Sequence, residues 1–367
     1  MGEEGYAAAI GGGRTDVLSP ALLLDLPTLR RNIESMATWA RDRVLIRPHG
    51  KIHKSVEIAR LQLEAGACGL TVATIWEALA LAEAEPASIL LANELLDPRK
   101  LDLLAGLARE RLCIIAVDSV EGAEALSAAS RRAGCEIGAL VDIDVGMGRC
   151  GVRSAAAALE VAAALDTLAG VRLRGVMGYE GHVVTEPDRD LRARRAGEAM
   201  DLLVEYVDDL QSHGFAIEIV SGGGTTTFDM TGCHPRVTEL QTGSYALMDA
   251  MYAPLTDAFA PALTVLARCI SRHGSRAVLD CGTKAVTVDY VPPQLPPGTG
   301  TIREIHEEHM LLDVPEGGGP MPGETIELLV GYCGGTCNLH DVYHVVEGDE
   351  VVDVWRIRAR GPGRGAA

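Results

Sequence analysis

The chain is long and acidic, with 367 residues, 33 basic side chains against 51 acidic ones, and a formal net charge of -18. This balance argues against nucleic acid and anionic membranes as partners, because both repel a negatively charged surface. With 47% hydrophobic residues, the chain can fold into one large domain and a smaller one. Its nine cysteines are scattered among apolar residues, which is typical of reduced thiols in a cytoplasmic protein.

The first segment, residues 1–19, is rich in glycine and is expected to be flexible. It lacks the apolar core of a signal peptide, and no later run has the length of a membrane span. Residues 20–27 contain a short apolar run that could form a strand with the C-terminal part of the chain.

Between residues 20 and 252, short apolar runs alternate with amphipathic segments, which predicts a (β/α)8 barrel. The predicted strands are residues 44–48, 69–73, 89–93, 113–117, 139–144, 173–179, 217–221 and 240–246. The predicted helices are residues 55–65, 76–84, 98–110, 120–132, 155–168 and 188–212. Asp97, Ser119 and Ser154 are expected N-caps. A doubly wound open sheet is the alternative, because periodicity cannot show closure.

The sequence pattern changes in residues 253–367, where few segments have a helical pattern and Gly/Pro turns separate short apolar runs. This part is predicted to be an all-β domain. Its predicted strands are residues 263–271, 275–279, 284–290, 310–314, 325–330 and 341–346. The Gly/Arg-rich tail from residue 361 is expected to be frayed.

Polar residues follow the predicted barrel strands, at the edge that carries function in this fold. The first strand leads into His49, Lys51 and His53, and a lysine among cationic neighbours can act as an amine nucleophile. After the seventh and eighth strands, residues 221–225 and 242–245 combine glycine with hydroxyl side chains, which suits phosphate binding. A reactive lysine facing a phosphate cradle predicts pyridoxal 5′-phosphate (PLP), although a sugar-phosphate aldolase could use the same two features.

Five segments resemble, in order, those of the D-threonine aldolase and D-serine dehydratase family, which belongs to the alanine-racemase-like fold-type III PLP enzymes. They are residues 47–54 (RPHGKIHK), 144–152 (DVGMGRCGV), 179–182 (YEGH), 221–225 (SGGGT) and 242–249 (TGSYALMD). The resemblance covers about residues 20–349. It implies a barrel followed by a β domain, a homodimer, and a PLP-dependent lyase acting on a β-hydroxy-α-amino acid of D configuration.

The resemblance also implies roles for individual residues. Lys51 is the expected Schiff-base lysine. The residues expected to contact the cofactor are His49, Arg149, Tyr179, Ser221, Gly223, Gly224, Thr225, Gly243, Ser244 and Tyr245. His53 and His182 are candidates for proton transfer, because neutral imidazole titrates near physiological pH.

The chain departs from the family at a C-terminal metal motif. Relatives carry a histidine and, two residues later, a cysteine or aspartate; Tyr332 and Gly334 occupy these positions here. Because neither is a good metal ligand, no divalent metal is expected. Cys333 and Cys337 are the fallback ligands for a rebuilt site. Tyr332 could act as a phenol acid or base, or simply fill the vacated space.

Loss of the metal leaves another reaction open. A metal-independent amino-acid racemase or epimerase would use Lys51 and either Tyr332 or a histidine on opposite faces of the substrate Cα. A PLP-binding regulatory protein without catalysis is a third possibility. Small PLP-binding relatives consist of the barrel alone, so residues 253–367 argue against that third possibility.

Overall fold

A computed structural model describes residues 9–363, which form two compact units. The barrel unit contains Met36–Lys51 and Ile58–Gly243, and the β unit contains, among the described residues, 9–35, Ile52–Glu57 and 244–363. This division differs from the predicted boundary at residue 252, because two early segments group with the C-terminal part of the chain. The predicted flexible N-terminus and frayed tail lie partly outside the described residues, at 1–8 and 364–367.

The chain begins with β1 (Ala21–Asp25) and α1 (Leu26–Ala40), and then builds a sheet of parallel strands. These strands are β2 (Leu45–Ile46), β3 (Leu70–Val72), β4 (Ser88–Leu91), β5 (Leu112–Val117), β6 (Ile137–Asp142), β7 (Val171–Met177), β8 (Ile219–Gly222) and β9 (Glu239–Leu240). Their spatial order is β2-β9-β8-β7-β6-β5-β4-β3. Backbone hydrogen bonds from Gly50 N to Thr71 O and from Thr71 N to Pro48 O connect the segment after β2 to β3. The arrangement confirms the predicted barrel-type fold.

Helices occupy the connections between these strands. They are α2 (Val56–Glu64), α3 (Ile75–Leu81), α4 (Pro98–Ala108), α5 (Val120–Ala133), α6 (Ala155–Thr167), α7 (Arg189–Ser212) and the short α8 (Phe228–Thr231). Asp97, Ser119 and Ser154 cap α4, α5 and α6 with their side-chain oxygens, as predicted. None of the helices among residues 9–363 combines the length and apolarity needed to cross a bilayer.

The helix α1 was not predicted. Its buried side chains recur every three or four residues, which is the helical period: Leu29, Ile33, Met36 and Ala40. The polar residues between them, together with Pro27 near the start, obscured this pattern in the sequence.

The β unit is built on a second sheet. Besides β1, it contains β10 (Leu263–His273), β11 (Arg276–Leu279), β12 (Thr301–Ile305), β13 (Met310–Asp313), β14 (Thr325–Leu329), β15 (Val342–Glu347) and β16 (Glu350–Arg356). The order is β12-β13-β11-β10-β1-β15-β16, and β14 also pairs with β10. β1 runs antiparallel to β10 and parallel to β15, which explains why this early segment groups with the C-terminal part.

Three segments differ from the sequence-based expectation. Residues 284–290 form no strand; the amides of Ala285 and Val286 both donate to Gly282 O in a turn. Residues 333–339 form α9 (Cys333–Leu339), although its consecutive glycines have low helix propensity. The eighth barrel strand ends at Leu240, and Ser244–Ala246 form a buried 3-10 turn instead of continuing it.

Candidate active site

A buried ion pair joins the neighbouring strands β2 and β9 of the barrel sheet. Arg47, directly after β2, donates from Nε to both carboxylate oxygens of Glu239 at 3.0 Å and from Nη2 at 2.8 Å. Burial alone would lower the pKa of Arg47, but the charge and hydrogen bonds of Glu239 outweigh burial and raise it. Glu239 also accepts a hydrogen bond from the Ser221 hydroxyl at 2.9 Å. The pair therefore fixes the chain just before Lys51 and links it to the end of β8.

Lys51 and Arg149 both lie against the aromatic ring of Tyr179. The Lys51 ammonium lies 5.7 Å from the centroid of the Tyr179 ring, and the Arg149 guanidinium carbon lies 5.9 Å from the same centroid. Such cation–π contacts are favourable, and they place two positive charges beside a planar surface. His49 is buried, and its Nδ1 accepts a long hydrogen bond from Lys51 N at 3.5 Å. The structure thus brings these four predicted residues together.

The Gly-rich loop after β8 is organised by a buried carboxylate. Glu180 is fully buried and accepts hydrogen bonds from Gly223 N at 3.1 Å and from the hydroxyls of Thr227 at 2.7 Å and Thr231 at 2.6 Å. Gly224 N donates to Thr227 Oγ1 at 3.0 Å. The N–H groups of Gly223 and Gly224, which were expected to bind phosphate, therefore have protein partners. Glu180 lies within the 179–182 motif, but the sequence pattern does not indicate this role.

Two glycines in this loop sit where a side chain would not fit. A Cβ on Gly224 would lie 2.7 Å from Val184 Cγ1 and 3.6 Å from Tyr179 Cε2. Gly223 has a φ of +90°, and its Cβ would lie 2.5 Å from Leu240 Cδ2. The loop backbone can therefore pack closely against Val184 and Leu240 only because these residues lack side chains.

The remaining predicted phosphate contacts of the barrel unit are buried. Ser221 Oγ donates to Glu239 and accepts a hydrogen bond from Gln241 Nε2 at 2.9 Å, so this hydroxyl already has two protein partners. Thr225 is 4% exposed, and Gly243 is also buried. The hydroxyl of the neighbouring Thr242 is fully buried and has no hydrogen-bond partner in the described part of the chain. A buried, unsatisfied hydroxyl is costly, and a bound ligand could satisfy it.

The loop after β6 is shaped by a carboxylate and an imidazole. Asp144 Oδ1 accepts hydrogen bonds from Gly146 N at 3.1 Å and Gly148 N at 2.9 Å, and its Oδ2 accepts one from Arg153 Nε at 2.9 Å. Burial raises the pKa of Asp144, but these hydrogen bonds outweigh burial and lower it overall. A Cβ on Gly146 would lie 2.9 Å from the ring of His182, which is exposed. Asp144 thus holds the loop that presents Arg149, and the His182 ring packs against this loop at Gly146.

A carboxyl cluster lies at the ends of β4, β5 and β6. Burial, followed by a hydrogen bond with Glu94, raises the pKa of Asp142 to about 8. Ligand atoms of Glu94, Asp118 and Cys150 lie within 4.8 Å of one another, a spacing that could hold a metal ion. Burial is also the largest cause that raises the pKa of the Cys150 thiol to about 11, so this sulfur is protonated near neutral pH. The sequence reasoning did not single out this cluster.

Several predicted residues lie in the β unit. His53 is fully buried; its Nδ1 accepts a hydrogen bond from the backbone two residues later, and its carbonyl accepts one from Tyr343 Oη at 2.6 Å. Ser244 and Tyr245 form the buried 3-10 turn, where the Tyr245 ring packs 5.5 Å from the Phe259 ring.

Tyr332 and Gly334, at the family's metal positions, are sterically coupled. Tyr332 directly precedes α9, and its ring packs edge-on against Tyr290 with a centroid distance of 4.9 Å. A Cβ on Gly334 would lie 3.0 Å from Tyr332 Oη and Cε1. The phenol therefore occupies the space that a ligand side chain at position 334 would need.

The fallback cysteines are poorly suited to bind a metal. Cys333 Sγ donates to Met248 O at 3.0 Å, and Cys333 N donates to Asp249 Oδ2 at 2.9 Å. Burial raises the pKa of Cys333 far above its ordinary value and that of Cys337 to about 12. Burial disfavours the thiolate, which is the metal-binding form, and Cys333 already donates to a backbone carbonyl, so neither cysteine is a pre-formed metal ligand.

The barrel residues do fit PLP. The Lys51 amine could bond to an aldehyde, Tyr179 offers a flat surface, and Arg149 adds a positive charge. The glycine loop allows close backbone approach, and the unsatisfied Thr242 hydroxyl lies beside Gly243 in the segment expected to bind phosphate. These features match a planar, anionic aldehyde.

Comparisons with known proteins identify the family of both parts of the chain. The profile of the alanine racemase N-terminal domain matches residues 24–250, and that of a putative serine dehydratase domain matches residues 262–346. The chain is 37% identical to a D-threonine aldolase of Arthrobacter sp over 354 residues, covering 94% of this chain and 93% of the relative. It is 34% identical to a 3-hydroxy-D-aspartate aldolase of Paracoccus denitrificans, covering 98% and 97% of the two chains.

Solved structures show the same relationship. The crystal structure of D-threonine aldolase from Filomicrobium marinum superposes with a TM-score of 0.93 at 34% identity, covering 96% of this chain and 97% of that one. D-threo-3-hydroxyaspartate dehydratase from Delftia sp. HT23 gives a TM-score of 0.86 at 26% identity, with coverages of 95% and 99%. These matches confirm the resemblance and the fold. The chain therefore belongs to the alanine-racemase-like, fold-type III family of PLP-dependent lyases that includes D-threonine aldolases and hydroxyaspartate aldolases and dehydratases.

Proposed function

We propose that this protein cleaves a β-hydroxy-α-amino acid of D configuration, using PLP bound in the barrel unit. The observation that carries the proposal is the convergence of Lys51 and Arg149 on Tyr179 beside the glycine loop. The names of the related aldolases and dehydratases all refer to D-amino acids that carry a β-hydroxyl. These names support the proposed substrate class.

Each barrel residue has a definite task in this proposal. PLP, when bound, supplies an electron sink for bonds at the substrate Cα. Lys51 binds the cofactor covalently and can return a proton to Cα after the substrate has displaced it. Tyr179 supports the cofactor ring, and Arg149 contributes positive charge. Residues 221–225 and Gly243 line the phosphate site, and the Gly223 and Gly224 amides and the Ser221 hydroxyl shape it through their protein partners. Ser244 and Tyr245 are proposed to extend this phosphate-binding segment.

We further propose that no metal binds at the family's C-terminal positions. The phenol of Tyr332 fills the space beside Gly334, and the neighbouring thiols are buried in their protonated form. Another group must then hold or move the proton of the substrate β-hydroxyl. Tyr332 and His182 are the candidates, because Tyr332 is half-buried and His182 is exposed, whereas His53 is fully buried.

A second candidate function is a metal-independent racemase or epimerase. The observation that favours it is a phenol at a position where the metal-dependent relatives carry a ligand, because Lys51 and Tyr332 could then serve as the two acid–base groups. Both functions need the same cofactor. They differ in the bonds that break: a racemase breaks only the Cα–H bond, whereas the proposed lyase breaks a bond at Cβ.

A homodimer and a cytoplasmic location complete the proposal. The homodimer rests on the family resemblance. The location is supported by the nine cysteines, all of which are free thiols, as expected in a reducing compartment.

The cofactor assignment is tested by absorbance spectroscopy of Lys51→Ala. The variant should lose the visible band of the covalently bound cofactor, because Lys51 is the lysine that lies against the Tyr179 ring. Lys100→Ala, an exposed lysine of α4, is the matched control and should keep the band. A band that survives in Lys51→Ala would show that another lysine carries the cofactor.

A further inference from the structure

We infer that Glu180 is a positioning residue for cofactor phosphate binding; this inference rests on the proposed function. The carboxylate is fully buried on the segment that follows β7. All of its side-chain hydrogen bonds described above come from one loop, that of Gly223, Thr227 and Thr231. A buried charge with this arrangement holds a loop in one conformation, because leaving its partners would strand a carboxylate away from water.

The hydrogen bonds bracket Thr225 on both sides. Before it, Gly223 N donates directly to Glu180, while Gly224 N donates to Thr227 Oγ1, which in turn donates to Glu180. After it, Thr227 and Thr231 bind the same carboxylate. The residues on both sides of Thr225 are thus fixed by hydrogen bonds to the Glu180 carboxylate. Thr225, a proposed phosphate contact, is therefore held in place before the phosphate binds, so binding does not have to order the loop.

The same residue also orients the cofactor's ring surface. Glu180 directly follows Tyr179, whose ring edge would lie 3.6 Å from a Cβ on Gly224. Fixing Glu180 against the glycine loop therefore sets the position of Tyr179 relative to that loop. Lys51 and Arg149 both lie against this ring. One buried carboxylate thus couples the phosphate loop to the ring that faces the reactive lysine.

Replacing Glu180 with glutamine separates charge from shape. The amide keeps one oxygen, which can still accept from the threonine hydroxyls, but its NH2 group would oppose the Gly223 N–H. Thr231 offers a second, milder test outside the binding residues. Thr231→Val removes one donor to Glu180 at constant shape, whereas Thr231→Ser keeps the hydroxyl.

The experiment compares PLP with pyridoxal, which lacks the phosphate, on protein stripped of cofactor. Binding is followed by the visible absorbance, and thermal unfolding of the stripped protein is measured in parallel with and without inorganic phosphate. Glu180→Gln should weaken PLP binding about 10- to 100-fold and pyridoxal binding much less, by no more than about threefold, because the two ligands share the Tyr179 contact and only PLP carries the phosphate. Thr231→Val should weaken PLP binding by about tenfold, and Thr231→Ser should match the wild type. Stabilisation by inorganic phosphate should shrink in Glu180→Gln and Thr231→Val.

Three results would overturn the inference. Wild-type PLP affinity in Glu180→Gln and Thr231→Val would show that the loop does not need the carboxylate. Equal weakening of PLP and pyridoxal, with a lower unfolding temperature, would show a general structural role. If the wild-type protein itself formed no visible complex with PLP, the proposed function would fail and this inference with it. If Glu180→Gln does not fold, the Thr231 pair alone decides between these outcomes.

Discussion

Breaking the buried Arg47–Glu239 ion pair should strongly destabilise the barrel unit, and Arg47→Met tests this. Arg47 is 5% exposed and Glu239 is 2% exposed, and three hydrogen bonds of 2.8 to 3.0 Å join them. Methionine would leave the Glu239 carboxylate buried, with the Ser221 hydroxyl as its remaining strong donor. Removing one partner of a buried pair typically costs about 3–5 kcal/mol of unfolding free energy.

The assay is equilibrium unfolding in urea of the cofactor-free protein. Arg132→Met is the matched control, because Arg132 and Asp102 form an ion pair in which both side chains are 53% exposed. That variant should lose less than about 1 kcal/mol. The double variant Arg47→Met/Glu239→Leu should recover much of the loss, because an apolar pair of similar volume needs no counter-charge. Equal losses in Arg47→Met and Arg132→Met, or no recovery in the double variant, would refute the reasoning.

Three further perturbations test other parts of the account. The folded pKa of Asp142, about 8, exceeds its ordinary value of 3.8, so the native state holds an extra proton between these values. The free energy of unfolding of the wild type should therefore fall, relative to that of Asp142→Asn, by up to about 1.4 kcal/mol per pH unit as pH rises through this window. Urea midpoints that change equally with pH in the two proteins would contradict this. Gly334→Asp should lower the free energy of unfolding by about 1–3 kcal/mol, because its side chain meets Tyr332. The double variant Tyr332→His/Gly334→Asp should fold stably and bind Zn2+ in a calorimetric titration. No binding would refute the steric account. Thr242→Val should stabilise the cofactor-free protein by about 1 kcal/mol in urea unfolding, and a loss of stability would show that its hydroxyl is satisfied.

The barrel could be predicted because its strands are buried on both faces and form short continuous apolar runs. β4, for example, is buried at every position, and the predicted segment at residues 89–93 overlaps it. Lys51 stood out for a similar reason, since its segment ends a strand and combines lysine, histidine and glycine. Asp97 and Ser119 marked helix starts through local hydrogen bonds that depend only on neighbouring residues.

Features that depend on distant partners could not be predicted. The carboxylate of Glu180 binds groups 43 to 51 residues away, and no local pattern encodes that separation. Residues 284–290 carry a strand-like apolar pattern, but a turn at Gly282 accepts the amides of Ala285 and Val286. In α9, consecutive glycines argue against a helix locally, while Cys333 and Cys337 are buried on it. Tertiary packing overrides propensity in both segments.

The central claim is that the protein breaks a bond at Cβ of a D-configured β-hydroxy amino acid without the family's metal. The most direct measurement is NMR in D2O of exhaustively chelated, PLP-loaded protein incubated with D- and L-serine, D- and L-threonine, and D- and L-alanine. The account predicts an aldehyde or a keto acid from a D-β-hydroxy substrate, at a rate unchanged by chelation. Deuterium at Cα with no product of bond cleavage at Cβ, or activity that returns only when Zn2+ or Mn2+ is added, would contradict it.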